Sequence, residues 1–160
     1  MENRYSKFTT LISDIYRSIN KIKEMFASKF GIKAKHISCL FYMYDKERLT
    51  GDGMTATELC DISGEDKGAM SRYIKELTSM GYIKEDINKK KKYNTKNYLT
   101  ESGTKVASCI FDFTERYVNI GGKNMNKEQR DNFYKNLEQI LINLQDDIRK
   151  NTLEVNNNEN

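Results

Sequence analysis

Tyr5, Phe8, Ile12, Ile15, Ile19, Ile22 and Phe26 recur at alternating intervals of three and four residues. That spacing lines one narrow face of an α-helix and predicts a first helix of about 25 residues, ending at Gly31. A stripe this long needs a partner helix to cover it. Ile37, Leu40, Phe41 and Tyr44 mark a second helix from Lys33 to Lys46. The loop "RLTGDGM" then carries the chain into Thr55-Ala56-Thr57-Glu58, a capping box that opens a third helix. Asp66 caps a fourth, with Met70, Tyr73, Ile74 and Leu77 as its apolar face and Gly81 as its end. Two short candidate strands, "YIKED" (82–86) and "TKNYL" (95–99), flank the segment "INKKKKYN". Thr100 caps a fifth helix striped by Val106, Ile110, Phe113, Tyr117 and Ile120. Asn126 with Gln129 resembles another capping box and opens a last helix, striped by Phe133, Leu137, Ile140, Leu141, Leu144 and Ile148. The Asn-rich tail, 151–160, is expected to be disordered.

Composition narrows what such a chain can do. Its 160 residues, 38% apolar and 31% charged, suit one helix-rich structural domain. No apolar run approaches the ~20 residues that span a bilayer, and the N-terminus lacks the layout of a secretory signal, so a cytoplasmic location is expected. The three cysteines, Cys39, Cys60 and Cys109, form no Cys-x-x-Cys pair, and His36 is the single histidine. A disulfide framework or a metal centre is therefore not expected, and no cofactor motif or catalytic constellation argues for an enzyme. Cys39 and Cys60 read as small core residues, whereas Cys109 lies beside the stripe of its helix.

Charge points elsewhere. The net charge is only +4, yet from Lys67 to Lys105 there are ten Lys/Arg against four Asp/Glu, leaving 17 against 19 for the rest of the chain. A basic excess confined to one segment is the electrostatic footprint of a nucleic-acid-binding face.

Two helices joined by a tight Gly-containing turn, followed by a two-stranded hairpin, form the plan of a winged helix-turn-helix. In that plan the second helix enters the DNA major groove and the hairpin flanks it. On the fourth helix the positions turned away from the apolar face are Lys67, Gly68, Ser71, Arg72, Lys75 and Ser79. Small residues there permit close approach, and long donors reach base edges or phosphates. Lys89, Lys90, Lys91 and Lys92 fall at the tip of the wing, where phosphates would relieve their mutual repulsion. The plainer alternatives are a solvated lysine loop and an Arg72–Glu76 surface pair.

The stretch "MTATELCDISGEDKGAMSRYIKELTSMGYI", with "LTESG" beginning eighteen residues after Gly81, resembles the MarR family of bacterial transcriptional regulators. The resemblance covers nearly the whole chain. It implies a mainly α fold with a small β-hairpin wing, a winged helix-turn-helix flanked by N- and C-terminal dimerisation helices. The expected division is 1–32 for the first dimerisation helix, 33–100 for the DNA-binding region and 101–150 for the C-terminal dimerisation helices. It further implies a homodimer on palindromic double-stranded DNA, acting as a repressor and relieved by a small aromatic effector whose contacts the sequence does not identify. Phe8, Ile12, Ile15, Ile19, Leu137, Leu141, Leu144 and Ile148 are the expected dimerisation residues. One departure stands out: where the family often has a wing Asp and, two residues on, an Arg, the spacing puts Lys91 and Tyr93. Some members sense oxidants through a cysteine in the first helix, which here has none. The rival reading from another class is a helical interaction module whose winged helix binds protein.

Overall fold

The structure is a computed structural model that describes residues 3–86 and 95–158. Among the described residues the order is α1 (Arg4–Lys29), α2 (Ala34–Thr50), β1 (Met54–Thr55), α3 (Ala56–Ser63), α4 (Lys67–Ser79), β2 (Ile83–Glu85), β3 (Lys96–Leu99), α5 (Glu101–Gly121) and α6 (Lys127–Asn158). The strands form one antiparallel sheet in the order β1-β3-β2, with Ile83 opposite Leu99 and Met54 opposite Asn97. The chain divides into two compact units, 1–115 and 116–160.

In the first unit the predicted caps are in place. Thr55 Oγ1 accepts the Glu58 N–H at 3.2 Å, and Glu58 returns a bond by accepting the Thr55 N–H at 2.8 Å. Asp66 accepts the Ala69 N–H at 2.8 Å, which starts α4. Between α3 and α4 the chain turns at Gly64, whose φ of 70° lies in the left-handed region that a side chain disfavours. The core gathers Phe26, Ile37, Leu40, Met43, Leu59, Met70, Leu77, Ile83, Leu99 and Ile110.

In the first unit α2 and β1 depart from the sequence reading. α2 runs to Thr50 rather than Lys46, ending at Gly51 with a φ of 69°, so Arg48 and Leu49 are helical. It is also buried on more than the one predicted side, at His36, Ile37, Cys39, Leu40 and Met43, because α1, α3, α4 and β3 all pack on it. β1 is a third strand, only two residues long, that pairs outside the hairpin.

The motif "LTESG" acts as a seam. Leu99 is buried, and its N–H is donated to Glu47 Oε1 at 2.7 Å. Thr100 Oγ1 donates to the Gly81 carbonyl at 2.6 Å and accepts the Gly103 N–H at 3.0 Å. Gly103 then passes so close to Tyr82 that a Cβ there would lie 1.9 Å from the Tyr82 carbonyl oxygen. The start of α5 is thereby fixed against the end of α4.

The second unit holds the end of α5 and α6. Asn126 and Gln129 cap α6 reciprocally, at 2.8 and 2.9 Å. α6 continues to Asn158, so residues 151–158, expected to belong to a disordered tail, are helical instead. With no glycine or proline to stop it, each further residue adds one hydrogen bond to an existing helix, which is far easier than nucleating a new one. No helix among the described residues is long and apolar enough to cross a membrane.

Candidate nucleic-acid interface

α4 shows its two faces as the sequence predicts. Ala69, Met70, Ile74 and Leu77 are buried and Tyr73 is half-buried, whereas Lys67, Gly68, Ser71, Arg72, Lys75 and Ser79 are exposed. The six exposed residues therefore share one surface. Among the described residues no acidic side chain pairs with Lys67, Arg72 or Lys75, so their charge stays available. The expected alternative for Arg72 does not form, because Glu76 turns the other way. Its carboxylate takes Lys33 Nζ at 2.7 Å and His36 Nε2 at 2.7 Å. The Lys33 ammonium, then the His36 ring, hold that carboxyl below its ordinary range.

The hairpin formed by β2 and β3 follows α4, as the plan requires. Lys89 to Lys92 lie in the connection between these strands and outside the described residues, as do Lys91 and Tyr93 at the family's wing positions. The base of the hairpin is well anchored. Asp52 pairs with Lys96 and accepts the Tyr98 hydroxyl at 3.2 Å, and Asn97 donates its buried amide to the Met54 carbonyl at 3.1 Å. The Lys96 ammonium lowers the Asp52 pKa, and Asp52 raises that of Lys96 in return. Sequence reasoning missed these anchors. Asp52 sits in a glycine-rich loop and gave no local sign of a partner 44 residues away.

The expected dimerisation positions are exposed in each unit taken separately. In the first unit Phe8, Ile12, Ile15 and Ile19 stay 41 to 49% exposed, and the stripe becomes buried only at Phe26. In the second unit Leu137, Leu141, Leu144 and Ile148 are exposed, as is every other side chain described on α6. Isolated exposed apolar residues are ordinary, but continuous stripes of this length mark interaction surfaces.

A cleft of about 670 Å³ opens in the first unit between α1, α2 and the α3–α4 turn. Tyr16, Lys23, Lys35, Ser38, Cys39 and Tyr42 line it, together with Glu65 and Asp66. Its wall is more polar than the small aromatic effector implied by the resemblance would call for. Lys23 donates to Ser38 Oγ at 3.0 Å, and burial lowers its pKa, helped by the neighbouring Lys35. Lys35 pairs with Glu65, both of them in the lining. The aromatic residues around α2 and α5 pack against one another instead, with Phe41 stacked on Phe111 at 5.7 Å.

The cysteines separate by environment. Cys39 is buried, donates to Met70 Sδ at 3.6 Å, and has its pKa raised by burial to about 12. It remains a thiol at neutral pH and is a poor nucleophile. Cys60 is only half-buried, more open than the core position expected of it, and Cys109 is exposed.

Solved structures supply the comparison. A MarR transcriptional regulator from Methanosarcina mazei Go1 is similar at 23% identity and a TM-score of 0.71, covering 85% of this chain and 88% of that one. A putative MarR-family regulator from Listeria monocytogenes complexed with 26mer DNA gives 22% identity, a TM-score of 0.74 and 92% coverage of each chain. S. aureus MepR in its DNA complex gives 16% identity and a TM-score of 0.76, over 89% of this chain and 99% of that one. No family model and no curated protein matches the sequence. The chain thus has the winged helix-turn-helix fold of the MarR-family transcriptional regulators.

Proposed function

We propose that this chain is a sequence-specific, double-stranded-DNA-binding transcriptional regulator, a repressor that sits on a palindromic operator as a homodimer. The observation that carries the reading is the exposed face of α4, where Lys67, Gly68, Ser71, Arg72 and Lys75 lie together with no acidic partner among the described residues. A solvated helix face ordinarily mixes both signs of charge. Two similar structures hold DNA, which supports the same reading. The cleft beside α4 is the candidate effector site, because Asp66 both lines it and caps the reading helix. A ligand that disturbed this cap would disturb the helix that meets DNA.

Selection of bound duplexes from a random pool tests the proposal. The expected motif has two inverted half-sites about 10 base pairs apart, and the selected duplex should bind about a thousandfold more tightly than random DNA. Binding without sequence preference would favour the protein-interaction reading instead.

Within that assay Arg72→Ala is expected to cost about 1 to 3 kcal/mol and to relax preference at one base position, as loss of a bidentate guanine contact does. The wing lysines should behave differently. Alanine at Lys89 to Lys92 should weaken selected and random DNA by similar factors. It should also flatten the salt dependence by about one unit of slope for each phosphate left unneutralised. An unchanged slope would return the four lysines to a solvated loop.

A further inference from the structure

His36 is the single histidine, and it is completely buried in the first turn of α2. Both ring nitrogens are engaged. Nδ1 accepts the Lys33 backbone N–H at 3.3 Å, so the ring proton sits on Nε2 and is donated to Glu76 Oε2 at 2.7 Å. The other Glu76 oxygen accepts from Lys33 Nζ at 2.7 Å, and Tyr73 presents its ring edge-on at 5.9 Å. Glu76 stands one helical turn beyond Arg72 and next to Lys75 on α4.

Apolar contacts turn one face of α4 to the core and so set its rotation coarsely, but they are not directional. Two hydrogen bonds to one carboxylate are directional. We infer that Glu76, gripped by His36 and Lys33, is a positioning residue that sets the rotation of α4 and so the presentation of Arg72 and Lys75, and that protonation of His36 releases the grip. Its consequence for DNA rests on the function proposed above; the grip itself does not.

The proton sign follows from the contacts. A second ring proton must go to Nδ1, which already faces the Lys33 N–H, and two donors cannot share one bond. The capping bond of α2 must break and the ring must shift. Burial lowers the pKa of the gripped ring and Lys33 adds to this, while Glu76 opposes both. The charged groups facing the ring are thus Glu76 from α4 and Lys33 from its own helix, with Tyr73 beside them. Above the ordinary histidine pKa of about 6.5 the neutral grip is complete. As pH falls below that value a released ring takes the proton more readily than the gripped one. The grip is lost as pH passes the lower, gripped-state value.

Two measurements test this on the full chain. A single histidine makes the ring ¹⁵N signals unambiguous, and the Nε2–H tautomer with a titration midpoint below about 6.5 is expected without DNA. The Nδ1–H tautomer, or a midpoint at or above that value, would overturn the inference. In the second, affinity for selected and random duplexes is followed at fixed salt between about pH 8 and pH 5. As pH passes the ring midpoint found in the first measurement, the ratio of the two should fall about tenfold in the wild type, the scale of one hydrogen bond to a charged group. His36→Gln keeps an N–H for Glu76 but does not titrate, so its ratio should stay flat. Glu76→Ala should show the lowered ratio already at the alkaline end. A Glu76→Ala chain with the wild-type ratio and slope would also overturn the inference, even if His36→Gln fails to fold. Should the wild type prefer no duplex at any pH, the regulator reading fails, and the tautomer and midpoint alone decide the grip.

Discussion

Replacing Ile12, Ile15 and Ile19 together with glutamate is expected to give a folded chain that sediments as a monomer and binds the selected duplex at least about a hundredfold more weakly. The three side chains are 42, 49 and 44% exposed, so the change removes little from the core of the first unit. Glutamate is also a good helix former, so α1 should persist. What the change removes is the apolar stripe available to a second copy, into which it places three like charges. Two linked reading helices gain affinity by making the second contact intramolecular, and a monomer forfeits that gain, which is on the order of 10² to 10⁴. Deleting the helix would be a poorer test, because Phe26 and Ala27 near its end are buried and their loss would unfold the unit. Sedimentation and circular dichroism on the same sample separate dissociation from unfolding. A triple variant that remains dimeric, or a wild type that is monomeric, removes the stripe as a dimer contact.

Gly103→Ala should be the most damaging single methyl group in the chain, lowering stability by about 3 kcal/mol or more and the melting temperature by roughly 10 °C. The added carbon would sit 1.9 Å from the Tyr82 carbonyl oxygen. That oxygen belongs to backbone already tied to Thr100 by a 3.0 Å hydrogen bond, so it cannot yield cheaply. Gly121→Ala is the control, since a Cβ there meets nothing within 4 Å. It should leave urea unfolding unchanged to within about 1 kcal/mol. Equal effects of the two substitutions would mean that the seam between α4 and α5 is looser than the structure places it.

What was legible in the sequence was local. The alternating three-and-four spacing of α1 and the exposed set on α4 follow from helix periodicity. The Thr55–Glu58 and Asn126–Gln129 boxes follow from cap chemistry within four residues. What escaped has no period or no local partner. Two residues, Met54 and Thr55, are too few to show an alternation, so β1 was invisible. α2 is covered on several sides, which erases the contrast between faces by which a helix orientation is read, and His36 and Met43 went unnoticed as core. For Glu76 the sequence offers only Arg72, one turn away, as an alternative partner, whereas its actual partners Lys33 and His36 lie 43 and 40 residues away.

The placement of α2 has one more consequence. Its first turn carries His36 against Glu76 of α4, and its last turns carry Glu47 against the Leu99 N–H at the root of the hairpin. The two grips, at His36 and Glu47, stand eleven positions apart on uninterrupted helix, a span of about 16 Å at ~1.5 Å per residue. The interval between α4 and the wing is therefore ruled by a rigid gauge block rather than by loops. Inserting or deleting one residue within it would turn Glu47 by about 100° and strand one grip or the other. Even a whole added turn, which keeps Glu47 on nearly the same face, would carry the two grips about 5.4 Å further apart, so the length of α2 between them is fixed as firmly as its facing.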